Sequence, residues 1–254
     1  MPNPNGYEGL VKAARMVDYI TNYTTANEEE LRAVLAKNAE ALTGARKALK
    51  QESRVKLDYS PASPAHIEEI SRLKWLAQIM IAQGRLAEME HHPLEAARAY
   101  LDVILLGRKA ERGGTILDSL IGITIEAMGC SSMEKLNSQL NAEECREAII
   151  ALEAAERYQD SIGAVLAQER AWAHRTYGLK GDIGRLLMFK QLKAGEQRWA
   201  AKKQSQEARA QQLLVTLASR AYELEKGKNP KNLDDLAPDY LKIIPHGMPQ
   251  PSSR

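Results

Sequence analysis

Large apolar side chains recur along this chain every three or four positions and almost never every second one, so the pattern predicts helices throughout. A first helix is expected over Tyr7–Thr21, with Leu10, Val11, Ala14 and Val17 on its apolar stripe. Asn27 opens a second, since its side chain can cap the first turn and Glu28, Glu29 and Glu30 suit the positive end of a helix. The stripe Leu31, Val34, Leu35, Leu42 and Leu49 carries that helix unbroken to Gln51, and residues 53–63 read as a loop. Ser63-Pro64 starts a third helix, which runs toward His91. Pro93 starts a fourth, closed by Gly113-Gly114.

Thr115 begins a fifth helix that is apolar nearly all round, which places it centrally with Leu120, Ile121, Ile123 and Met128 in the core. Its Gly122 and Gly129 cost helix propensity, and a closely packed neighbour is a reason to tolerate them. Asn141-Ala-Glu-Glu144 has the spacing of a capping box for the sixth helix. A seventh holds Val165, Leu166, Ala173 and Tyr177 and stops at Gly178 or Gly181. From Asp182 to Lys226 the pattern stays helical; a straight helix of that length would span ~65 Å, so a bend or break is expected. Residues 200–212 contain no large apolar side chain and read as a solvated helix or a mobile connection. Beyond Gly227, five prolines end regular helix.

Composition agrees with that pattern. Ala and Leu dominate and there is one Phe, Phe189. Net charge is only +2, which excludes a global polycation or polyanion. Cys130 and Cys145 are too few for a disulfide framework, and in an antiparallel hairpin they would lie ~9 Å apart along the axis. The most apolar stretch, Ile116–Cys130, is interrupted by Asp118 and Glu126 and is shorter than the ~20 residues of a membrane helix. The first six residues do not read as a signal peptide, so a cytoplasmic protein is expected from the sequence as written.

Two resemblances follow from particular residues. Gly84, Ala96 and Tyr100 have the spacing of a tetratricopeptide hairpin, which they resemble in a degenerate form: a small residue in the first helix, Ala twelve later, an aromatic four after that. His91 and Pro93 stand where that family has a Gly and an aromatic, and there is no second copy at its period of 34 residues. The resemblance implies hairpin packing and no binding residue. Over most of its length the chain also looks like a loosely defined group of bacterial all-helical proteins. The residues concerned are Asn5-Gly6-Tyr7, Arg112-Gly-Gly-Thr115, Glu169-Arg-Ala-Trp172 and Tyr222-Glu-Leu-Glu-Lys-Gly227 with the prolines that follow. That resemblance implies an apolar membrane anchor ahead of Asn5, hence a cell-envelope location for an anchored form, and it supplies no activity. The group continues past its last Pro with an Asp-Pro-aromatic turn; here His246-Gly-Met-Pro249 stands instead, which puts docking of the C-terminus in question. The fold expected is an all-α array of about eight antiparallel helices, tetratricopeptide-like, over residues 1–217. A C-terminal helix end and a short Pro-rich segment follow over 218–254.

Candidate chemistry is sparse. Glu88 and His91 make one Glu-x-x-His pair, but a di-iron bundle needs two such pairs and two further carboxylates, so a solvated helix end is the stronger reading. His174 is the best candidate for an inward, hydrogen-bonded histidine, and Cys130 reads as a buried small hydrophobe. Gly113-Gly114 ahead of a helix can favour an anion, although a plain turn explains it as well. Residues 180–209 hold eight basic and three acidic side chains. At ~100° per residue, Lys190, Lys193, Lys202 and Lys203 do not share one narrow stripe. The function expected is a non-enzymatic scaffold that binds an unidentified protein in a groove between helices, without catalytic residue, metal or cofactor. The alternative is an anion binder, for nucleic acid or an anionic membrane surface, acting through Lys190, Lys193, Arg198, Lys202 and Lys203.

Overall fold

The computed structural model of the chain describes residues 1–18, 23–60, 64–187 and 189–245. Among these there are nine α-helices, two 3-10 turns and no strand, so the fold is an all-α helical array. The helices are α1 (Gly6–Arg15), α2 (Glu28–Lys37), α3 (Ala39–Leu49), α4 (Pro64–Met89), α5 (Pro93–Glu111), α6 (Ile116–Leu136), α7 (Ala142–Glu156), α8 (Ile162–Leu187) and α9 (Phe189–Lys226). The 3-10 turns are Asn137–Gln139 and Leu233–Leu236. Helix α5 lies at the centre, packed most extensively on α6 and then on α4, while α9 lies across α6 and α7.

Local capping sets most of the boundaries. Asn27 and Asn141 each accept from the N–H three residues on, while Glu30 and Glu144 reach back to the capping N–H. Pro93 occupies the first position of α5. The end of α4 is a Schellman turn: His92 N–H donates to Ala87 O at 2.8 Å and His91 N–H to Glu88 O at 3.1 Å. That geometry puts His91 at φ 61, a region disfavoured for a side chain with Cβ. His91→Gly is therefore expected to stabilise the protein by about 1 kcal/mol, seen as a higher urea midpoint at unchanged slope.

Two expected boundaries are corrected by one side chain. The helix expected over Tyr7–Thr21 ends at Arg15, and the helix expected to run from Asn27 to Gln51 breaks into α2 and α3 at Asn38. Asn38 is buried; its Oδ1 accepts from Asp18 N–H at 2.8 Å, and its Nδ2 donates to Asp18 O at 3.1 Å and Val34 O at 2.9 Å. The side chain thus takes hydrogen bonds from both helical ladders. Residues 19–22, the remainder of the first expected helix, lie outside the described residues, as does the expected cap Ser63.

Helix α8 is kinked at Gly178, which takes φ 58 and ψ −149, close to the stop expected there. Between Asp182 and Lys226 the helical stretches are α8 up to Leu187 and α9 from Phe189, with residue 188 outside the described residues. The bend or break expected in this span does not fall within α9, which runs unbroken through Gly195 and across residues 217 and 218. Residues 200–212 are neither solvated all round nor a loose connection. Lys203, Gln206 and Ala210, spaced by three and four, are buried against the bundle. After α9 the chain docks back: Leu233, Leu236, Tyr240 and Leu241 join the main core. Arg146 of α7 holds this segment, pairing with Glu225 at 2.7 Å, donating to Asp239 O at 2.8 Å and stacking 4.3 Å from the Tyr240 ring centre. His246, Pro249 and the rest of 246–254 lie outside the described residues.

Candidate functional site

Helix α6 buries a different face from the one its composition suggests. Asp118, Ser119, Glu126 and Cys130 are buried, whereas Leu120, Ile121 and Met128, expected in the core, are only half-buried and Leu117 is 42% exposed. Of the four expected core residues only Ile123 is buried. The cause is the contact with α5. A Cβ on Gly107 would stand 2.6 Å from Gly122 O, and one on Gly122 would stand 2.7 Å from Gly107 O, so the two backbones touch. Gly129 continues the contact, 2.8 Å from Tyr100 O by the same measure. The close neighbour expected for Gly122 and Gly129 is thus α5.

That contact encloses charge. Arg108 of α5 pairs with Glu126 of α6 at 3.0 Å, with both side chains under 7% exposed. Glu111 of α5 accepts from Ser119 at 2.8 Å and from Lys203 of α9 at 2.7 Å. Burial pushes the carboxyls of Glu111 and Glu126 up, against the opposing pull of Lys203 and Arg108. Three helices are therefore registered by two interior ion pairs, each needing its partner to offset desolvation.

With the polar side of α6 turned inward, its aliphatic side forms one wall of a groove of 780 Å³. Ile116, Leu117 and Leu120 of α6 face Trp172 and Tyr177 of α8 and Leu192 and Trp199 of α9. Trp172 is fixed by a 2.7 Å bond from its Nε1 to Asp58 O and an edge contact with Tyr177 at 5.9 Å. On α9, Gly195, Arg198, Trp199 and Lys202 line the groove, while Lys203, one turn on from the buried Trp199, is itself buried in the core.

At one end of the groove the start of α6 is surrounded by the chain's own carboxylates. Asp118 accepts from Thr115 N–H and Oγ1 at 2.7 and 2.8 Å, Glu169 from Ile116 N–H at 3.0 Å, and Asp160 from Gly113 N–H at 2.6 Å. The negative charge that a Gly113-Gly114 turn ahead of a helix can attract is thus supplied internally. Asp118 also binds His66 Nε2 at 2.8 Å. That bond holds the His66 pKa above the ordinary imidazole value, against the lowering effect of partial burial. A histidine raised on folding contributes stability below its unfolded pKa of ~6.5 and loses it as pH rises through the folded value. Stability is expected to fall across that window, and His66→Gln should flatten the fall in urea midpoints measured from pH ~6 to ~9.

The residues singled out from the sequence take varied places. Gly84 meets the Tyr100 ring, where a Cβ would come 2.7 Å from Cζ, and Ala96 is fully buried beside them, so the expected packing of α4 on α5 is present. Tyr100 Oη donates to Glu88, which takes Glu88 away from a His91 pair. Among the described residues no group of three or more His, Cys, Asp and Glu is arranged to hold a metal. Lys190, Lys193, Arg198 and Lys202 are exposed, but Lys203 leaves the anion-binding set, its charge met in the core by Glu111. His174 is exposed, not inward; among the described residues the inward histidine is His66, which sequence reasoning passed over. Its only local signal was its place in the first turn of α4; the partner, Asp118, is 52 residues away. Cys130 and Cys145 are buried and unpaired, and burial pushes their thiols up to about 12 and about 11.

No known protein family, curated protein or solved structure matches the chain.

Proposed function

We propose that this protein is a non-enzymatic helical scaffold that binds a segment of a partner protein in the groove between α6, α8 and α9. The supporting observation is the outward face of α6: Leu117, Leu120 and Ile116 line an open groove while Asp118, Ser119 and Glu126 occupy the interior. Contiguous apolar surface in water is costly unless a ligand or partner covers it. The walls are held from behind by the buried ion pairs and the Trp172 anchor, which suits a preformed site with little to order on binding. The tetratricopeptide-like packing of Gly84, Ala96 and Tyr100 fits the same class of scaffold.

Affinity capture from a lysate with wild type, Leu117→Asp and Ile150→Asp tests this reading, with bound proteins identified by mass spectrometry. Leu117 is 42% and Ile150 61% exposed, so neither change empties a core, and Ile150 lies outside the groove. A protein held by wild type and by Ile150→Asp but lost with Leu117→Asp is the expected result. Equal capture by all three places the binding surface elsewhere and contradicts the proposal. The alternative reading, a polyanion bound along residues 180–209, calls for duplex binding at ~50 mM salt that weakens steeply by ~200 mM. Withdrawal of Lys203 from that surface counts against it.

A further inference from the structure

The hydrogen-bonding groups of the groove are unequally spent. On the walls opposite α9 the acceptors have donors already: Asp118 serves Thr115 and His66, Glu169 serves Ile116 N–H, and Asp58 is bonded to Ser60. Glu196, the acid on the α9 wall, is engaged as well. The donors on α9 are different. Trp199 is 3% exposed, lines the groove, and its buried Nε1–H has no acceptor among the described residues. A buried indole N–H is normally bonded, so this one is a donor in want of a partner. One turn away Lys202 is exposed at the rim; among the described residues it has no ion pair, and the terminal nitrogens of Arg198 have no acceptor, with the Arg198 Nε reaching Ala194 O at 3.3 Å. Unspent donors and positive charge lie along one wall, with an apolar wall facing them.

We infer that the partner segment is an amphipathic helix bearing carboxylates. Its apolar side chains lie on Leu117, Leu120 and Trp172, and an Asp or Glu beside them meets Lys202, Arg198 and the Trp199 indole N–H. The segment is helical because no described strand of this chain offers an edge to an extended peptide. An extended backbone against an aliphatic wall would leave its own N–H and C=O groups unpaired, whereas a helix satisfies them internally. This inference rests on the groove being the protein-binding site proposed above.

The test uses three fluorescein-labelled helical peptides of one length with the same Leu face and a polar face of Glu, Gln or Lys, titrated by anisotropy. The full chain is compared with Lys202→Met, Trp199→Phe and Leu117→Asp. Lys202 is exposed and has no ion pair among the described residues, so Lys202→Met keeps the fold, and Trp199→Phe keeps a ring while removing the N–H. The Glu peptide is expected to bind tightest, with Lys202→Met weakening it roughly fivefold while leaving the Gln peptide unchanged. Trp199→Phe should weaken the Glu peptide in the same selective way. Equal affinity for the Glu and Gln peptides, with Leu117→Asp weakening both, overturns the acidic partner and leaves the groove reading standing. Tightest binding of the Lys peptide overturns the acidic partner too. Failure of all three to bind, or binding indifferent to Leu117→Asp, overturns both.

Discussion

Replacing Lys203 by Met is expected to destabilise the protein by on the order of 3–5 kcal/mol. The ammonium is 1% exposed and lies 2.7 Å from Glu111, whose carboxylate is 3% exposed. Removing it leaves Glu111 with Ser119 as its one remaining neutral donor, and an uncompensated buried carboxylate must either protonate or draw in water. Total stabilities of folded domains are only ~5–15 kcal/mol, so the loss would be a large share. Far-UV circular dichroism against urea measures it. Adding Glu111→Leu to Lys203→Met should recover most of the loss, because an apolar pair in place of an ion pair removes the orphaned charge. If Lys203→Met unfolds at the wild-type midpoint, the pair does not hold α9 on α5.

The second large effect has a sign that separates two explanations. By helix propensity alone Gly107→Ala should stabilise by ~1 kcal/mol. Packing between the two helices gives the opposite. The new methyl would stand 2.6 Å from Gly122 O and 2.7 Å from Glu126 N, both backbone atoms of the neighbouring helix. Forcing α5 and α6 apart is expected to cost ~1–3 kcal/mol in overpacking, and more where the Arg108–Glu126 pair is stretched. Gly195→Ala is the control: nothing lies within 4 Å of the added Cβ, and there the propensity gain should appear. A stabilised Gly107→Ala would contradict the close crossing of the two helices.

The legible part of this fold is the local part. Asn27, Pro93, Thr115 and Asn141 act within one turn of themselves, and the helices they start begin where the pattern places them. Asn38 illustrates what is not legible. An Asn inside a good apolar stripe breaks a helix here because Asp18, twenty residues away, takes its side-chain hydrogen bonds. The orientation of α6 was hidden for a related reason. A helix apolar on nearly every side has no face that composition can select, and the choice falls to the partners of its few polar residues. Those partners, Arg108, Glu111 and Lys203, lie on α5 and on a part of α9 whose neighbours are all polar or small. Asp118 and Glu126 in that apolar run did carry a signal, since a charge on a central helix calls for an interior counter-charge. The groove was legible only as a class of site. Its walls come from four stretches of chain, and Trp199 and Lys202 became groove residues, and Lys203 a core residue, once α9 packed on α6.

The most direct test of the groove as the binding site is site-specific photo-crosslinking in cells, with the reactive side chain at residue 117 or, in a separate variant, at residue 150. Both positions are exposed and helical, and only the first faces the groove. A discrete crosslinked partner band is expected from position 117, absent from position 150 and lost when Trp172→Ala removes the opposite wall. The same bands from both positions, or none from position 117 while position 150 yields one, would contradict the groove as the binding site.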